Sequence, residues 1–152
     1  MRLMKQHPGF FDEAVSLAIS DKHPEGWRAA WLVYHNMHRN DQRVQPVLSY
    51  MIHTLKSKES GHQRELLKII SKMKAKEKHQ GPLFDACLTI WEDLKKQSSV
   101  RITAFKQLAN IAREHDELKV ELQHFTTKRY LESLPPGIKS SFKKYSDFAQ
   151  ID

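Results

Sequence analysis

Ser98-Ser99-Val100-Arg101-Ile102-Thr103-Ala104-Phe105-Lys106-Gln107-Leu108-Ala109-Asn110-Ile111-Ala112 places apolar side chains at Val100, Ala104, Leu108, Ile111 and Ala112, the spacing of one face of an α-helix. The two leading serines suit an N-cap, where a hydroxyl accepts from an orphan N–H of the first turn. Other stretches repeat the period. Pro8 to Ser20 offers Phe11, Val15, Ala18 and Ile19. Pro24 to His38 offers Trp27, Ala30, Trp31 and Tyr34. A third helix, from Gln45 or Pro46 to Lys56, carries Val47, Leu48, Met51, Ile52 and Leu55, and a fourth, Gly61 to Lys74, carries Leu66, Leu67, Ile69, Ile70 and Met73. The fifth is expected to open near Pro82, with Leu83, Ala86, Cys87, Ile90, Trp91 and Leu94. A seventh begins at Asp116 or Glu117 and carries Leu118, Leu122, Phe125 and Tyr130; an eighth follows Pro135-Pro136 and reaches about Phe148. No stretch alternates with period two, so no sheet is expected.

Arg101 follows Arg64 by 37 residues, and Arg64 follows Arg28 by 36; each lies near the start of an even-numbered helix. Pro8, Pro46 and Pro82 mark the odd-numbered helices at intervals of 38 and 36. One further step of 37 from Arg101 falls on Ile138, beside Lys139. A two-helix unit recurring about every 37 residues is the mark of a stacked α-solenoid. A single hairpin cannot bury both of its apolar faces, and stacking four of them buries a continuous core.

The segment from Val100 to Ala112 resembles the second helix of a HEAT repeat, in which Val-Arg is followed by a small residue and then Leu. Trp27-Arg28-Ala29-Ala30-Trp31-Leu32 and Gln63-Arg64-Glu65-Leu66-Leu67 are weaker copies. The resemblance implies an all-α chain, an α-α superhelix of about four HEAT-like antiparallel pairs forming a single domain over residues 1–152. It also implies that the second helix of each pair lines a concave surface, and that the repeated Arg pairs with an Asp near the preceding turn. Asp21 would then serve Arg28 and Asp93 would serve Arg101; Arg64 has only Glu59 nearby, which makes it the least committed of the three. HEAT domains scaffold complexes, transport cargo and, in one branch, bind DNA, so the fold alone does not decide among these roles.

The charge of +7 is uneven: residues 53–80 hold eight Lys/Arg against three Asp/Glu, whereas 1–52 hold six against five and 81–152 eleven against ten. Arg64, Lys68 and Lys72 fall at i, i+4 and i+8, one basic stripe along the fourth helix, extended by Lys74, Lys76 and Lys78. Lys139 and Lys143 repeat the spacing on the eighth. These five residues, Arg64, Lys68, Lys72, Lys139 and Lys143, are the candidate partner-binding surface, suited to a phosphate backbone or an acidic protein segment. A solvated helix face is the plainer account of such a run.

Other features point to structure. Trp27 and Trp31 at i, i+4 suit a stacking platform for bases or a peptide anchor, but are expected to pack against the first helix, as Trp91 is in its own pair. Cys87 falls on an apolar face as an inert core thiol. His35 and His38 share a face without a third ligand or a His-Glu-x-x-His pattern, so no metal or cofactor is expected. The single cysteine, the absence of a signal-peptide core near Met1 and the lack of an apolar membrane span predict a soluble, cytoplasmic protein.

No phosphate loop, nucleophile elbow or dinucleotide fingerprint is present. The serine- and methionine-rich loop of the adenylosuccinate lyase superfamily has no counterpart, and the chain is too short for that enzyme's bundle. The sequence therefore predicts a non-catalytic binding or scaffold module for a protein partner. The alternative is nucleic-acid binding through the basic stripe, similar in fold and charge to the HEAT-like DNA glycosylases but without an acidic residue assignable to catalysis.

Overall fold

The structure, a computed structural model, describes residues 7–147. Nine α-helices occur among them and no strand: α1 (Pro8–Ala18), α2 (Glu25–Asn36), α3 (Leu48–Thr54, flanked by 3-10 turns), α4 (Ser60–Lys72), α5 (Glu77–Glu92), α6 (Ser98–Ala112), α7 (Asp116–Gln123), α8 (Lys128–Leu131) and α9 (Pro136–Ser146). Phe148, expected to close the last helix, lies outside the described residues. The chain divides into two compact units, Met1–His79 and Gln80–Asp152.

In the first unit α1 packs on α2, and α2 packs on α4. The second helices of successive pairs thus lie against each other, as a helical repeat requires. They run in the same direction: Trp27 near the start of α2 lies against Gly61 near the start of α4, and Tyr34 near the end of α2 meets Lys72 at the end of α4. The second unit repeats the relation, with α6 on α9. Its core is an aromatic trio, Trp91 from α5, Phe105 from α6 and Phe142 from α9, with ring centroids 4.7 to 5.7 Å apart. Phe105 and Phe142 are 37 residues apart, one repeat.

Helix C-termini leave four carbonyls without intrahelical donors, and this chain fills them with cations from further along. Lys58, buried, donates from Nζ to Ile19 O at 3.2 Å, Ser20 O at 2.8 Å and Asp21 Oδ1 at 2.7 Å, so all three ammonium hydrogens are used at the end of α1. Beside it the buried His62 donates from Nε2 to Ala18 O, 2.6 Å away; burial pulls its pKa down, which favours this neutral ring. Lys72 donates to Tyr34 O at 3.0 Å near the end of α2. Arg101, 1% exposed, donates from Nε to Trp91 O and from Nη2 to Tyr130 O, both at 2.8 Å, tying α5 and α8 to α6. Its guanidinium carbon also lies 4.5 Å from the centroid of the Trp91 ring.

The expected Arg–Asp pairing takes a different form. The carboxylate of Asp21 is held by Lys58, and Arg28 is exposed. Arg101 is structural, but its hydrogen-bond acceptors are carbonyls and the Ser133 hydroxyl; the negative charge of Asp93 acts on it only through space.

Two helix boundaries also move. Pro82 lies inside α5, which starts at Glu77. His79 sets that start: its N–H closes a turn onto Lys76 O, and its Nδ1 accepts from the Lys76 N–H at 3.2 Å, the half of a capping box in which the N3 side chain reaches back, with His in the place of Glu or Gln. The expected seventh helix is cut between α7 and α8, where the Thr126 hydroxyl takes the Gln123 carbonyl at 2.9 Å and the backbone tightens to three-residue turns.

Asp41 anchors the loop between α2 and α3. It is buried and accepts from the His38 and Arg43 N–H groups and from Nε and Nη2 of Arg43 at 2.7 to 3.0 Å. The Arg43 guanidinium holds the Asp41 carboxyl well below the usual carboxylate range. Asn40, at φ 49°, donates its N–H to Lys72 O and accepts from the Lys74 N–H through Oδ1, closing the C-terminus of α4.

Two outcomes follow from these contacts. Because Asp41 binds its proton more weakly folded than unfolded, its stabilisation is complete above about pH 5 and declines as pH falls below about 4. Asp41→Asn should therefore cost about 2 kcal/mol in urea melts at pH 7 and progressively less at pH 3. Arg101→Ala orphans the buried Trp91 carbonyl and the part-buried Tyr130 carbonyl and should cost about 3 kcal/mol, and Arg101→Lys should recover little of it because the fork is lost; denaturation midpoints equal to the parent's would refute the clamp.

Candidate functional site

On α4 the buried positions take up almost the whole circumference: His62, Gln63, Glu65, Leu66, Leu67, Ile69 and Ile70. The strip left open carries Ser60, Gly61, Arg64, Lys68, Ser71 and Lys72, so the basic stripe is the outward face of this helix. Glu65 lies beneath it. Its Oε1 is 3.4 Å from Lys68 Nζ and 3.8 Å from Arg64 Nη1. The Arg64 side chain stays 43% exposed and that of Lys68 27%. Lys68 and Lys72 both face the Tyr34 ring, at 5.3 and 4.2 Å from its centroid, and Lys72 is further committed to the Tyr34 carbonyl. Arg64 is thus the most open of the three, and Lys72 combines a capping role with its place on the strip.

Lys139 and Lys143 are exposed on α9 in the second unit. They border a cleft of about 380 Å³ whose walls include Gln123, Thr126, Leu131 and Phe142. The five candidate residues therefore form two groups, three on α4 in one unit and two on α9 in the other.

The face of α2 corrects an expectation. Trp27 and Trp31 do not pack into the core against α1; each is 42% exposed. The buried side of α2 is a second stripe one position away, Gly26, Ala29, Ala30 and Val33, also at i, i+3, i+4 and i+7. Small side chains let neighbouring backbones approach closely. A Cβ on Gly26 would stand 2.8 Å from His62 Cε1 and 3.1 Å from Leu17 O, so bulk on this side is excluded and the indoles face outward.

The outward rings form a line. His23, Trp27, Trp31 and His35 recur at intervals of four and all are exposed. His23 stacks on Trp27 with centroids 6.1 Å apart and planes 13° from parallel, and Trp31 meets His35 at 4.1 Å. Pro24, Trp27, Arg28, Trp31 and Leu32 line a shallow, mostly apolar groove of about 520 Å³. Trp27 also lies across the first turn of α4, where a Cβ on Gly61 would come within 2.6 Å of Cζ2 of the indole. With Trp27 fixed to Gly61 at one end and Tyr34 to Lys72 at the other, the aromatic line of α2 runs alongside the basic strip of α4. The sequence signal for this surface was the i, i+4, i+8, i+12 ring spacing together with a competing small-residue stripe.

Cys87 is fully buried and desolvation pushes its thiol far up, so it stays protonated and unreactive. Among the described residues no group of three His, Cys, Asp or Glu side chains is arranged to hold a metal ion, and no helix is long and apolar enough to cross a membrane. Compared with curated proteins and with solved structures, the chain shows no significant match to either. The HEAT repeat domain model does match, over residues 1–146. That span, together with second helices stacked on second helices in each unit, makes this chain a member of the HEAT-repeat family.

Proposed function

We propose that the protein is a non-catalytic binding module that holds an anionic polymer or an acidic segment against the open strips of its second helices. HEAT-repeat proteins are typically non-catalytic and generally mediate protein interactions, which supports a helical scaffold or binding module as the general role. One observation carries the finer reading: the part of α4 that packing leaves uncovered is dominated by Arg64, Lys68 and Lys72, with its one carboxylate, Glu65, buried beneath. Lys139 and Lys143 give α9 the same character in the second unit. Clustered cations at a surface gain affinity for a polyanion by releasing its counterions, which makes salt the diagnostic variable. A protein partner without acidic character is the second reading, favoured by the family's general role.

Retention on immobilised heparin separates them. The parent protein should bind at about 50 mM salt, and Arg64→Gln/Lys139→Gln/Lys143→Gln should elute at clearly lower salt with an unchanged melting temperature. No retention at low salt, or identical elution of the variant, would reject the polyanion and leave the neutral protein partner.

A further inference from the structure

The geometry points to a more specific ligand for the first unit: we propose that the paired α2–α4 face binds single-stranded nucleic acid, with bases stacking on Trp27 and Trp31 and phosphates following Arg28, Arg64 and Lys68. This deepens the polyanion reading and rests on it.

Three features of the surface carry the proposal. The first is the exposure of two indoles one turn apart on the same helix face, about 6 Å in axial rise, which offers successive rather than isolated stacking positions. The second is their setting. His23 and His35 continue the line of rings at either end, while Leu32 and Pro24 fill the groove between, so the strip has planar and apolar surface without a deep pocket. A shallow, sequence-tolerant platform of this kind suits bases, each of which has a π-face, better than the discrete pockets that select peptide side chains.

The third is charge. Arg28 is exposed on the groove itself, and Arg64 and Lys68 stand on the parallel strip of α4. The carboxylates in this region each have a partner except Glu25: Asp21 pairs with Lys58, Glu65 with Lys68, and Glu59 meets the His23 ring, although Asp21, Glu25 and Glu59 remain exposed at the end of the strip where α2 and α4 begin. Aromatic rings interleaved with cations form an electrostatic track beside a stacking surface, the arrangement that holds a strand whose bases are free. A duplex keeps its bases stacked inside and would meet only the cations.

Tryptophan fluorescence tests this directly, because Trp91 is fully buried and emission changes on binding report Trp27 and Trp31. The probe is a dT oligonucleotide of about a dozen nucleotides, within the usual site size for such surfaces. Titration at about 50 mM salt should quench the emission, and log affinity against log salt should slope by about −2 for three neutralised phosphates. Trp27→Ala and Trp31→Ala should each weaken binding by about 5- to 100-fold. The inward stripe of α2 does not include either ring, so both variants should stay folded, with a modest fall in melting temperature for Trp27→Ala, whose indole rests on Gly61. Gly61→Ala keeps both indoles but displaces Trp27, and should weaken binding less than Trp27→Ala.

Unchanged affinity in the Trp27→Ala/Trp31→Ala variant would overturn the proposal, as would equal competition by a duplex of the same length. Stronger quenching by a poly-glutamate peptide than by the oligonucleotide would transfer the site to an acidic protein segment. Heparin retention without oligonucleotide quenching would remove this inference and leave the broader reading standing. Loss of both would remove the two together.

Discussion

The carbonyl groups left bare at the C-terminal end of a helix govern how this chain holds itself together. In a repeat of short helices such ends are frequent, and each must find donors or water. Here donors come from residues roughly one repeat later: Lys58 and His62 serve the end of α1, and Lys72 serves the end of α2. In the second unit Arg101 serves α5 from the next helix and α8 from an earlier one. The charge also opposes the negative end of the helix dipole, so one side chain satisfies hydrogen bonding and electrostatics together. A carboxylate partner is not required for this, which is why Arg101 sits buried among carbonyls and an aromatic face.

That arrangement changes the meaning of the basic segment. Residues 53–80 have the greatest excess of Lys and Arg, yet Lys58 is spent inside the fold and Lys72 partly so. What remains for a partner is narrower than the composition alone suggests. On α4 it is set by geometry: the helix is covered almost all the way round, and Arg64 and Lys68 occupy the gap, while Lys74, Lys76 and Lys78 stay exposed beyond its end. Glu65 beneath them fixes their heads without cancelling the outward charge, since Arg64 stays substantially exposed.

The fold was legible because its signals are local and repeated. Helices appear where period 3.6 was found, and the spacing near 37 residues reappears as physical contact between Phe105 and Phe142 and between Lys58 and Asp21. Boundaries were less legible. The start of α5 is set by His79 acting where a Glu or Gln is the recognisable signal, and the break after α7 by a threonine hydroxyl competing for a carbonyl. The stripe on α4 could be placed on one face from spacing alone, but the demand of Tyr34 O on Lys72 could not, because it comes from a neighbour 38 residues away. The orientation of α2 escapes its sequence for a related reason. Its sequence has two apolar stripes one position apart, and size rather than hydrophobicity decides between them. Only the closeness of Leu17 and His62 to Gly26 shows that the small stripe must face inward.

The cost of that choice bears on function. Burying a large apolar side chain is worth about 2–3 kcal/mol relative to leaving it exposed, and α2 forgoes part of this at both Trp27 and Trp31, each 42% exposed. A polar residue at either position would keep the inward stripe intact, because Gly26, Ala29, Ala30 and Val33 make the packing. The indoles therefore contribute little that the fold needs on that side, while giving the surface a contiguous apolar strip of the kind that marks interaction sites. Trp27 does rest on Gly61, but that contact orients the ring along the basic strip of α4 rather than hiding it. Small residues hold the helices together, and the large ones are left where a ligand can reach them.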